Sequence, residues 1–326
     1  MNKDYNYIIV GAGSAGCAVA NRLSENPNNK VLLIEAGRSS HPVSRLPASF
    51  ALLIDNPKAN WRYRSEPEEN TSNRQIPIPR GKLLGGSSSI NGLVYVRGNK
   101  LDYDTWAQMG NTGWSYDDVL PFFKKIENYQ GEITELRSSE GPLKISEVVD
   151  RNPIYDGLFK GADEIGIPTN KDYNGDEQEG ISYTQTTIFK GERMSAEVAY
   201  LKPIRSRKNL KIITNSLVTK LLFEGKTCVG VKVKNKNKIQ DYFSQNEVIL
   251  CGGAINSPQI LELSGIGNRS ILEEKGISLV HELKGVGENL RDHLGPRLVY
   301  NITKRGISYN DKARGINLIK QVLTYA

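Results

Sequence analysis

Three glycines near the amino terminus follow an apolar run at a regular spacing. Gly11, Gly13 and Gly16 follow the apolar run at residues 8–10 directly and have the G-x-G-x-x-G spacing. In this pattern the first glycine allows a tight turn, the second lets the backbone approach a pyrophosphate, and the third lets a helix pack closely on a strand. The N-terminus of that helix favours an anion. The pattern predicts a diphosphate-binding loop, although the spacing alone is a weak signal.

An acidic residue at the expected distance strengthens this prediction. Residues 15–24 have the composition of a helix, and residues 30–36 are typical of a second buried strand that ends near Glu35. A carboxylate at this position accepts hydrogen bonds from a ribose 2′-hydroxyl in dinucleotide-binding units. The alternative is a glycine turn followed by an exposed glutamate, neither of which binds a ligand. The unit does not distinguish NAD from FAD, because both contain the same ADP half.

A second loop of small residues lies at residues 81–92, with the sequence GKLLGGSSSING. Adjacent glycines and serines leave the backbone uncovered and supply many small hydrogen-bonding groups. A flexible linker is the alternative, but apolar residues flank the loop on both sides. We therefore expect it to be ordered and to face a ligand.

A second strand, turn and helix are predicted at residues 247–267. Residues 248–251 are typical of a buried strand, the glycine pair that follows forms the turn, and Ser257 and Pro258 suit the N-cap and first position of a helix. Residues 211–214, 217–223 and 227–233 indicate three strands in a meander, and residues 232–238 a solvated hairpin tip. The expected fold is α/β, a Rossmann-like, doubly wound domain that is interrupted by insertions.

Size and composition limit the function classes. The chain has 326 residues, of which 38% are hydrophobic and 24% charged, and 43 basic against 36 acidic residues give a net charge of +7. The excess is modest and dispersed, so nucleic acid is not expected as a partner. Neither an apolar run of about 18 residues nor a signal-peptide pattern is present, which predicts no membrane span and a cytoplasmic location. The three cysteines lack metal-ligand or C-x-x-C spacing and suit reduced, buried thiols.

Four segments together resemble the glucose-methanol-choline (GMC) oxidoreductase family, most closely its choline dehydrogenase-like members. They are the amino-terminal glycine motif with Glu35, residues 81–98, residues 253–267, and residues 285–293 with the sequence GVGENLRDH. The resemblance covers essentially the whole chain. It implies an FAD-dependent oxidoreductase that acts on CH-OH groups.

The resemblance also implies where FAD lies. The ADP half would occupy the first glycine loop, the adenine would meet the backbone of Val218, and the second loop would contact the pyrophosphate and flavin. Some relatives attach FAD covalently through a histidine whose position is Ile90 here, so noncovalent FAD is expected. The residues expected to bind the cofactor are Gly11, Gly13, Ser14, Ala15, Gly16, Glu35, Ala36, Leu83, Gly85, Gly86, Ser87, Asn91, Gly92, Leu93, Val94, Val218, Gly252 and Asp292.

Relatives pass a hydride from a primary alcohol to flavin N5 while a histidine takes the hydroxyl proton, which needs a base within hydrogen-bond reach. The family supplies this histidine, with a His or Asn partner, from a carboxyl-terminal segment that would lie beyond Ala326. For His41, His281 and His293 a structural role is favoured. We therefore expect an amino-terminal portion of a longer enzyme, inactive by itself. Gly295 stands where choline-specific relatives have an acid, so a neutral primary alcohol suits at least as well as choline. The electron acceptor is unknown.

The expected domains are a discontinuous FAD-binding domain at residues 1–140 and 195–295, and part of an α+β substrate lobe at residues 141–194 and 296–326. Two other functions stay open. An NAD(P)-dependent dehydrogenase would share the first glycine unit, and a noncatalytic FAD-binding remnant would lack the base. A serine hydrolase is disfavoured because no G-x-S-x-G motif occurs.

Overall fold

The computed structural model describes residues 4–149, 151–293, 295, 299–303, 306–312 and 315–317. They divide into two compact units. Unit 1 comprises the described residues up to Leu93 together with Glu192–Arg291, and unit 2 comprises Val94–Gly191 with the described residues from Asp292 onward. Residues 94–140 thus cluster with the insertion, because their strand β5 (Glu127–Tyr129) pairs with β6 (Leu143–Glu147). The assignment of cofactor and substrate roles to the two parts stays a prediction.

The regular elements follow each other in the order expected of an interrupted α/β fold. The remaining strands are β1 (Tyr5–Val10), β2 (Val31–Ile34), β3 (Tyr63–Arg64), β4 (Pro77–Ile78), β7 (Gln185–Thr186), β8 (Ile188–Phe189), β9 (Glu192–Arg193), β10 (Leu210–Ile213), β11 (Leu217–Glu224), β12 (Thr227–Asn235), β13 (Lys238–Leu250), β14 (Ile266–Gly267) and β15 (His281–Glu282). The α-helices are α1 (Ser14–Leu23), α2 (Phe50–Leu53), α3 (Lys100–Gln108), α4 (Tyr116–Ile126), α5 (Pro153–Glu164), α6 (Gly253–Leu263), α7 (Arg269–Glu274) and α8 (Tyr309–Lys312). Short 3-10 helices lie at Pro47–Ser49, Glu69–Thr71, Gly86–Ser89 and Lys202–Ile204, and a π-helix at Glu197–Leu201.

A six-stranded sheet with the order β10-β2-β1-β13-β12-β11 forms the centre of unit 1. The strands β10, β2, β1 and the second half of β13 are parallel, whereas β12 and β11 are antiparallel to their neighbours. Every residue of β2 is buried, as are the last three of β1. Strands that are covered on both faces have continuous apolar runs rather than alternation. The predicted α/β class with a parallel sheet is confirmed.

One face of this sheet carries a continuous apolar core. Ile260 of α6 covers it, and buried residues of β1, β2, β11 and β12 supply the rest. The cluster consists of Ile8, Val10, Leu32, Ile34, Val218, Leu221, Val231, Val233 and Ile260. The sheet is therefore well packed where β1 and β2 end, which is the edge at which open α/β sheets bind ligands.

The predicted meander is wrong in its membership. Strand β10 joins the parallel sheet beside β2, and the antiparallel meander is β11-β12-β13. Strand β13 is one long strand that pairs antiparallel with β12 in its first half and parallel with β1 in its second half. Short apolar strands in succession show that strands form but not which neighbour each one finds, because pairing depends on the whole sheet. The hairpin tip predicted at residues 232–238 is confirmed.

Helix α6 begins earlier than the sequence predicts. Gly252 is its N-cap, so Ser257 and Pro258 lie inside the helix rather than at its start. Ser-Pro is a strong pattern for the start of a helix. It does not exclude a further helical turn upstream, because a proline inside a helix removes only one backbone hydrogen bond. Helix α4 has a defined start, because Ser115 and Asp118 form a capping box at its N-terminus.

Unit 2 contains the sheet β5-β6-β7 and the helices α3, α4 and α5. Its polar centre is an ion cluster in which Glu127 lies 2.7 Å from Arg97 and 3.1 Å from Arg137, and Arg137 lies 2.6 Å from Asp172. The side chains of Glu127 and Arg137 are completely buried. Within the described part of the chain, no helix has the length and apolar character needed to cross a membrane.

Candidate functional site

A cavity of about 650 Å³ opens in unit 1 where β1 and β2 end. Its volume is in the range of sites for drug-sized ligands and nucleotides. The lining residues come from the first glycine loop, the end of β2, the second glycine loop, the start of β11 and the turn into α6. Predicted residues that line it are Gly11, Gly13, Ser14, Ala15, Glu35, Ala36, Gly86, Ser87, Val218 and Gly252. The structure thus brings these five segments of the sequence together at one cavity.

The first glycine loop presents the open end of α1 to the cavity. Gly13 is the N-cap of α1, no side chain caps this helix, and its first turn contains no acidic residue. The N–H groups and the positive end of the helix dipole are therefore available to an anion. Gly16 lies one turn further on, and a Cβ on it would be 1.9 Å from the carbonyl oxygen of Gly11. This position holds the helix against the loop and is not itself a lining residue.

The second glycine loop packs directly on the first. The Gly85 N–H donates to the carbonyl oxygen of Ala12 at 2.8 Å. Gly86 has a φ of +53°, and a Cβ on it would lie 2.7 Å from the Cα of Gly13. Only a residue without a side chain fits this contact. The two glycine motifs therefore form one wall, which the sequence did not predict because they are far apart in the chain.

Glu35 is held at the end of β2 by two backbone N–H groups. Its Oε2 accepts from Ala12 at 2.9 Å and its Oε1 accepts from Gly37 at 2.8 Å. Burial raises the pKa of this carboxyl, while the two hydrogen bonds and the charge of Lys82 act in the opposite direction. Each carboxylate oxygen has further lone-pair capacity. Glu35 can therefore accept a hydroxyl donor from a ligand in the cavity while its orientation stays fixed.

Apolar side chains form much of the remaining wall. Val10, Ile34, Leu250 and Ile260 line the cavity, and Val218 at 5% exposure lies among them. Such walls suit the flat face of an aromatic ring system, with the few polar groups setting its orientation. Most of these residues could not be identified as site residues from the sequence, because buried strand ends have the same composition whether or not they face a cavity.

An aromatic and cationic group at residues 61–82 was also missed. Trp61 and Arg80 line the cavity, and the Trp61 ring stacks on Tyr63 with centroids 5.7 Å apart. The Nζ of Lys82 lies 4.3 Å from the centroid of Trp61. Asn256 of α6 also lines the cavity and donates to the Tyr63 hydroxyl at 2.7 Å. The alternation of Trp61 and Tyr63 was the available signal, and it predicts packing equally well.

Several predicted residues do not line this cavity. Leu83 is 1% exposed and packs with Leu53, Ala59 and Ile90, so its side chain is part of a core cluster. A Cβ on Gly85 would meet Ser89 and Glu197. The other predicted residues outside the lining of the cavity are Gly16, Asn91, Gly92, Leu93, and, in unit 2, Val94 and Asp292.

The cysteines differ in their burial. Cys17 is completely buried and burial raises the pKa of its thiol to about 12, as the sequence predicts for a buried thiol. Cys228 and Cys251 are only partly buried, which corrects the expectation for both. Cys251 lines the cavity at the end of β13. All three are free thiols.

None of the three histidines lines the cavity. The Nε2 of His41 lies 3.3 Å from the Asn56 amide nitrogen, and burial lowers the pKa of its ring. His281 lies exposed on β15, and the exposed His293 donates its backbone N–H to the Asp292 carboxylate at 2.8 Å. In the described ranges, no group of His, Cys, Asp and Glu could hold a metal ion.

The chain was compared with known proteins. Residues 5–295 match the family described as GMC oxidoreductase. The chain is 42% identical over 298 residues to the oxygen-dependent choline dehydrogenase of Photobacterium profundum. The alignment covers 90% of this chain and 52% of that protein. It is 42% identical over 319 residues to an alcohol dehydrogenase [acceptor] of Pseudomonas putida, covering 96% of this chain and 58% of that one.

Solved structures agree with these matches. The crystal structure of pyridoxine 4-oxidase from Mesorbium loti aligns with a TM-score of 0.82 and 34% sequence identity, covering 86% of this chain and 55% of that chain. The chain therefore spans a little over half the length of the proteins it matches. The glycine motifs, the parallel sheet and the matched length together carry one conclusion: the chain belongs to the GMC oxidoreductase family.

Proposed function

We propose that unit 1 binds FAD noncovalently and that the protein is an FAD-dependent oxidoreductase that acts on primary alcohols. The observation that carries the proposal is the wall formed by two glycine loops beside a carboxylate that backbone N–H groups hold in place. A Cβ at Gly86 would destroy this wall, so the shape needs residues without side chains. Relatives whose names describe alcohol oxidation support the same reading.

The residues divide between the two halves of FAD. The amino end of α1, with Gly11, Gly13 and the first helical residues, would hold the diphosphate, because it is an uncapped helix N-terminus. Glu35 would accept the ribose hydroxyl, and the apolar wall around Val218 would hold the adenine. The second loop and residues 91–93 would serve the flavin. When bound, FAD supplies the group that accepts the hydride of the alcohol.

Noncovalent attachment follows from the residue at position 90. Ile90 is 4% exposed and packs in the cluster with Leu53, Ala59 and Leu83. An aliphatic side chain offers no nucleophile for a bond to the flavin. We expect FAD to be released unchanged when the protein is denatured with acid.

The cavity is assigned to the ADP half of FAD, so its lining does not decide which residue accepts the proton of the alcohol. A general base must lie within about 3 Å of the proton it removes. The family resemblance supplies this base as a histidine from a segment beyond Ala326. We propose that residues 1–326 bind FAD without turning over an alcohol, and that choline and neutral primary alcohols are both candidate substrates of the whole protein.

Binding of FAD to the purified chain tests the proposal. We expect a yellow complex with flavin absorbance and one FAD per chain, ADP as a competitor, and NAD competing no better than ADP because only its ADP half fits the cavity. Tight binding of NAD with no binding of FAD would instead identify the NAD(P)-dependent alternative. Bleaching of the bound flavin by an alcohol in the absence of oxygen would contradict the expected lack of turnover.

Labelling of the cysteines tests where the nucleotide binds. Cys251 lines the cavity and Cys228 does not, while both are only partly buried. Saturating ADP should protect Cys251 from alkylation and leave the labelling of Cys228 unchanged, as measured by peptide mass spectrometry. Equal protection of both, or of neither, would contradict a nucleotide site in this cavity.

A further inference from the structure

Arg193 is a buried cation beside the second glycine loop that no motif identified. Its side chain is in unit 1 and the residue is 1% exposed. Its Nη1 donates to the carbonyl oxygen and to the Oδ1 of Asn91, both at 2.8 Å, and to the carbonyl oxygen of Ser88 at 3.3 Å. Its Nε donates to the carbonyl oxygen of Ser44 at 3.1 Å. The guanidinium thus joins the second loop to the segment around residue 44.

The surroundings of Arg193 are unusual for a buried charge. The ion pairs found among the described residues do not include it, and its buried Nη2 has no hydrogen-bond partner there. Burial lowers the pKa of the guanidinium to about 10. A buried charge without a carboxylate is costly, since neutral carbonyls compensate only part of the lost hydration. A purely structural position would be served at lower cost by an apolar side chain.

Asn91 shows what the charge controls. Asn91 itself is exposed, and its Oδ1 accepts from Arg193 and also from the N–H of Leu93 at 3.2 Å. Leu93 has a φ of +70°, in the left-handed region that a non-glycine residue rarely adopts. The two hydrogen bonds to one amide oxygen therefore hold a strained turn at residues 91–93. Without Arg193, the Asn91 side chain would lose its fixed orientation.

A second contact joins the same two segments. The backbone N–H of Ala196 donates to the Ser88 hydroxyl at 2.9 Å, three residues beyond Arg193. Ser88 in turn donates to the carbonyl oxygen of Gly85 at 2.5 Å. Residues 193–196 therefore contact the second loop at both ends, and Arg193 controls the end at which the strained turn lies.

We propose that Arg193 is a positioning residue that holds Asn91 and the turn at residues 91–93 in the conformation that contacts the flavin of FAD. The inference rests on the proposed function, because it requires that FAD binds with its flavin at this turn. The residue acts through Asn91 and the loop backbone. Its effect should therefore fall on the flavin half of the cofactor and spare the ADP half.

Variants of both partners test this separation. Arg193→Met removes the donors and the charge, and Arg193→Lys keeps the charge but cannot reach Ser44 and Asn91 together as a planar fork can. Arg45→Met is the matched control, because Arg45 is about half exposed and lies 4.0 Å from Glu192. Calorimetry with FAD and with ADP, and the visible circular dichroism of bound FAD, are the measurements.

We expect Arg193→Met and Arg193→Lys to bind FAD about tenfold more weakly, as for loss of hydrogen bonds to a charged group. ADP affinity should stay within about twofold of the parent, and the visible circular dichroism should change because the flavin environment is less fixed. Arg45→Met should match the parent in FAD affinity, in ADP affinity and in visible circular dichroism. Asn91→Ala, at an exposed position, should reproduce the changed spectrum, and adding it to Arg193→Met should cause little further loss.

Some outcomes overturn the inference. An unchanged ratio of FAD to ADP affinity with an unchanged circular dichroism spectrum in Arg193→Met would overturn it. An equal loss of affinity for FAD and for ADP would also overturn it, because that result indicates general destabilisation. If the arginine variants do not fold, Asn91→Ala decides, and a parental spectrum for that variant overturns the proposal. Failure of the parent protein to bind FAD would refute the proposed function itself, a result that is distinct from failure of the variants.

Discussion

Glu35 shows how far residue-level prediction reaches. The spacing from the glycine motif predicted the residue and a ribose-binding role, because an acid at that strand end is part of the dinucleotide pattern. The structure adds the N–H groups of Ala12 and Gly37, which fix the carboxylate. Those contacts depend on how the loop after β1 meets the end of β2, and a one-dimensional pattern does not contain that information. The same holds for Arg193, whose partner Asn91 lies 102 positions away.

Replacing Glu35 with Gln should weaken FAD and ADP binding about tenfold, because one amide nitrogen would face a backbone N–H and one hydrogen bond would be lost. Calorimetry of the variant measures this. Glu25→Gln is the control, since Glu25 is about half exposed in an ion pair with Arg22 and should bind both ligands as the parent does. Parental affinity in Glu35→Gln would remove Glu35 from the ribose site.

Glu35 should also make the folding stability of the ligand-free protein depend on pH in a definite direction. Burial raises the pKa of Glu35 above its ordinary value of 4.5, so the folded protein holds this proton more tightly than the unfolded chain. The stability that Glu35 contributes is therefore complete below about pH 4.5 and is lost as the pH rises through the folded pKa. Urea unfolding at increasing pH should show this decline in the parent and a flatter profile in Glu35→Gln. If stability changed with pH in the same way in the parent and in Glu35→Gln, this prediction would be contradicted.

At the scale of elements, local patterns predicted which segments form strands and helices better than how these are arranged. The strand, loop and helix at residues 5–23 were predicted because buried apolar runs and a glycine turn are local signals. The partner of β10 and the start of α6 were not predicted correctly, because strand neighbours and the first turn of a helix depend on tertiary contacts. The contact between Gly13 and Gly86 belongs to the same class.

A pair of helical glycines separates packing from helix propensity. In Gly16→Ala the added Cβ would lie 1.9 Å from the Gly11 carbonyl oxygen, so α1 must shift, and we expect a loss of about 1–3 kcal/mol in the free energy of unfolding. Gly157 lies inside α5 with nothing within 4 Å of an added Cβ. Gly157→Ala should therefore stabilise the protein by about 0.5–1 kcal/mol.

Urea denaturation of both variants measures these changes, and ADP binding adds a functional measurement. Gly16→Ala should also lose ADP affinity, since the Gly11 loop lines the cavity, whereas Gly157→Ala should keep it. A Gly16→Ala protein with parental stability and parental ADP affinity would show that close packing of α1 on the loop is unimportant.

At the scale of the whole molecule, the division into units was the least predictable feature. Composition does not change at residue 94, and no linker marks it. What joins residues 94–140 to the rest of unit 2 is partly the ion cluster of Arg97, Glu127, Arg137 and Asp172, whose members are widely separated in sequence. Charged residues usually lie at the surface, so their sequence positions gave no reason to place them in a buried centre.

This buried cluster makes a prediction that tests the division into units. Glu127 has two arginine partners, so Glu127→Gln would leave two buried guanidinium groups without their shared carboxylate. Breaking a buried pair in this way costs about 3–5 kcal/mol in the free energy of unfolding. Glu164→Gln is the matched control, because Glu164 is exposed, lies 4.0 Å from Lys160 on α5 and should change stability by less than about 0.5 kcal/mol.

The two units report separately on this change. Trp106 and Trp114 belong to unit 2, whereas every residue lining the cavity belongs to unit 1. Urea unfolding followed by fluorescence of Trp106 and Trp114, in a Trp61→Phe background, should show the loss caused by Glu127→Gln. ADP affinity of the same variant at zero urea should equal that of its Trp61→Phe parent. Loss of ADP affinity in Glu127→Gln but not in Glu164→Gln would mean that the cavity of unit 1 depends on the ion cluster, and the two units could not then be treated as separate centres of stability.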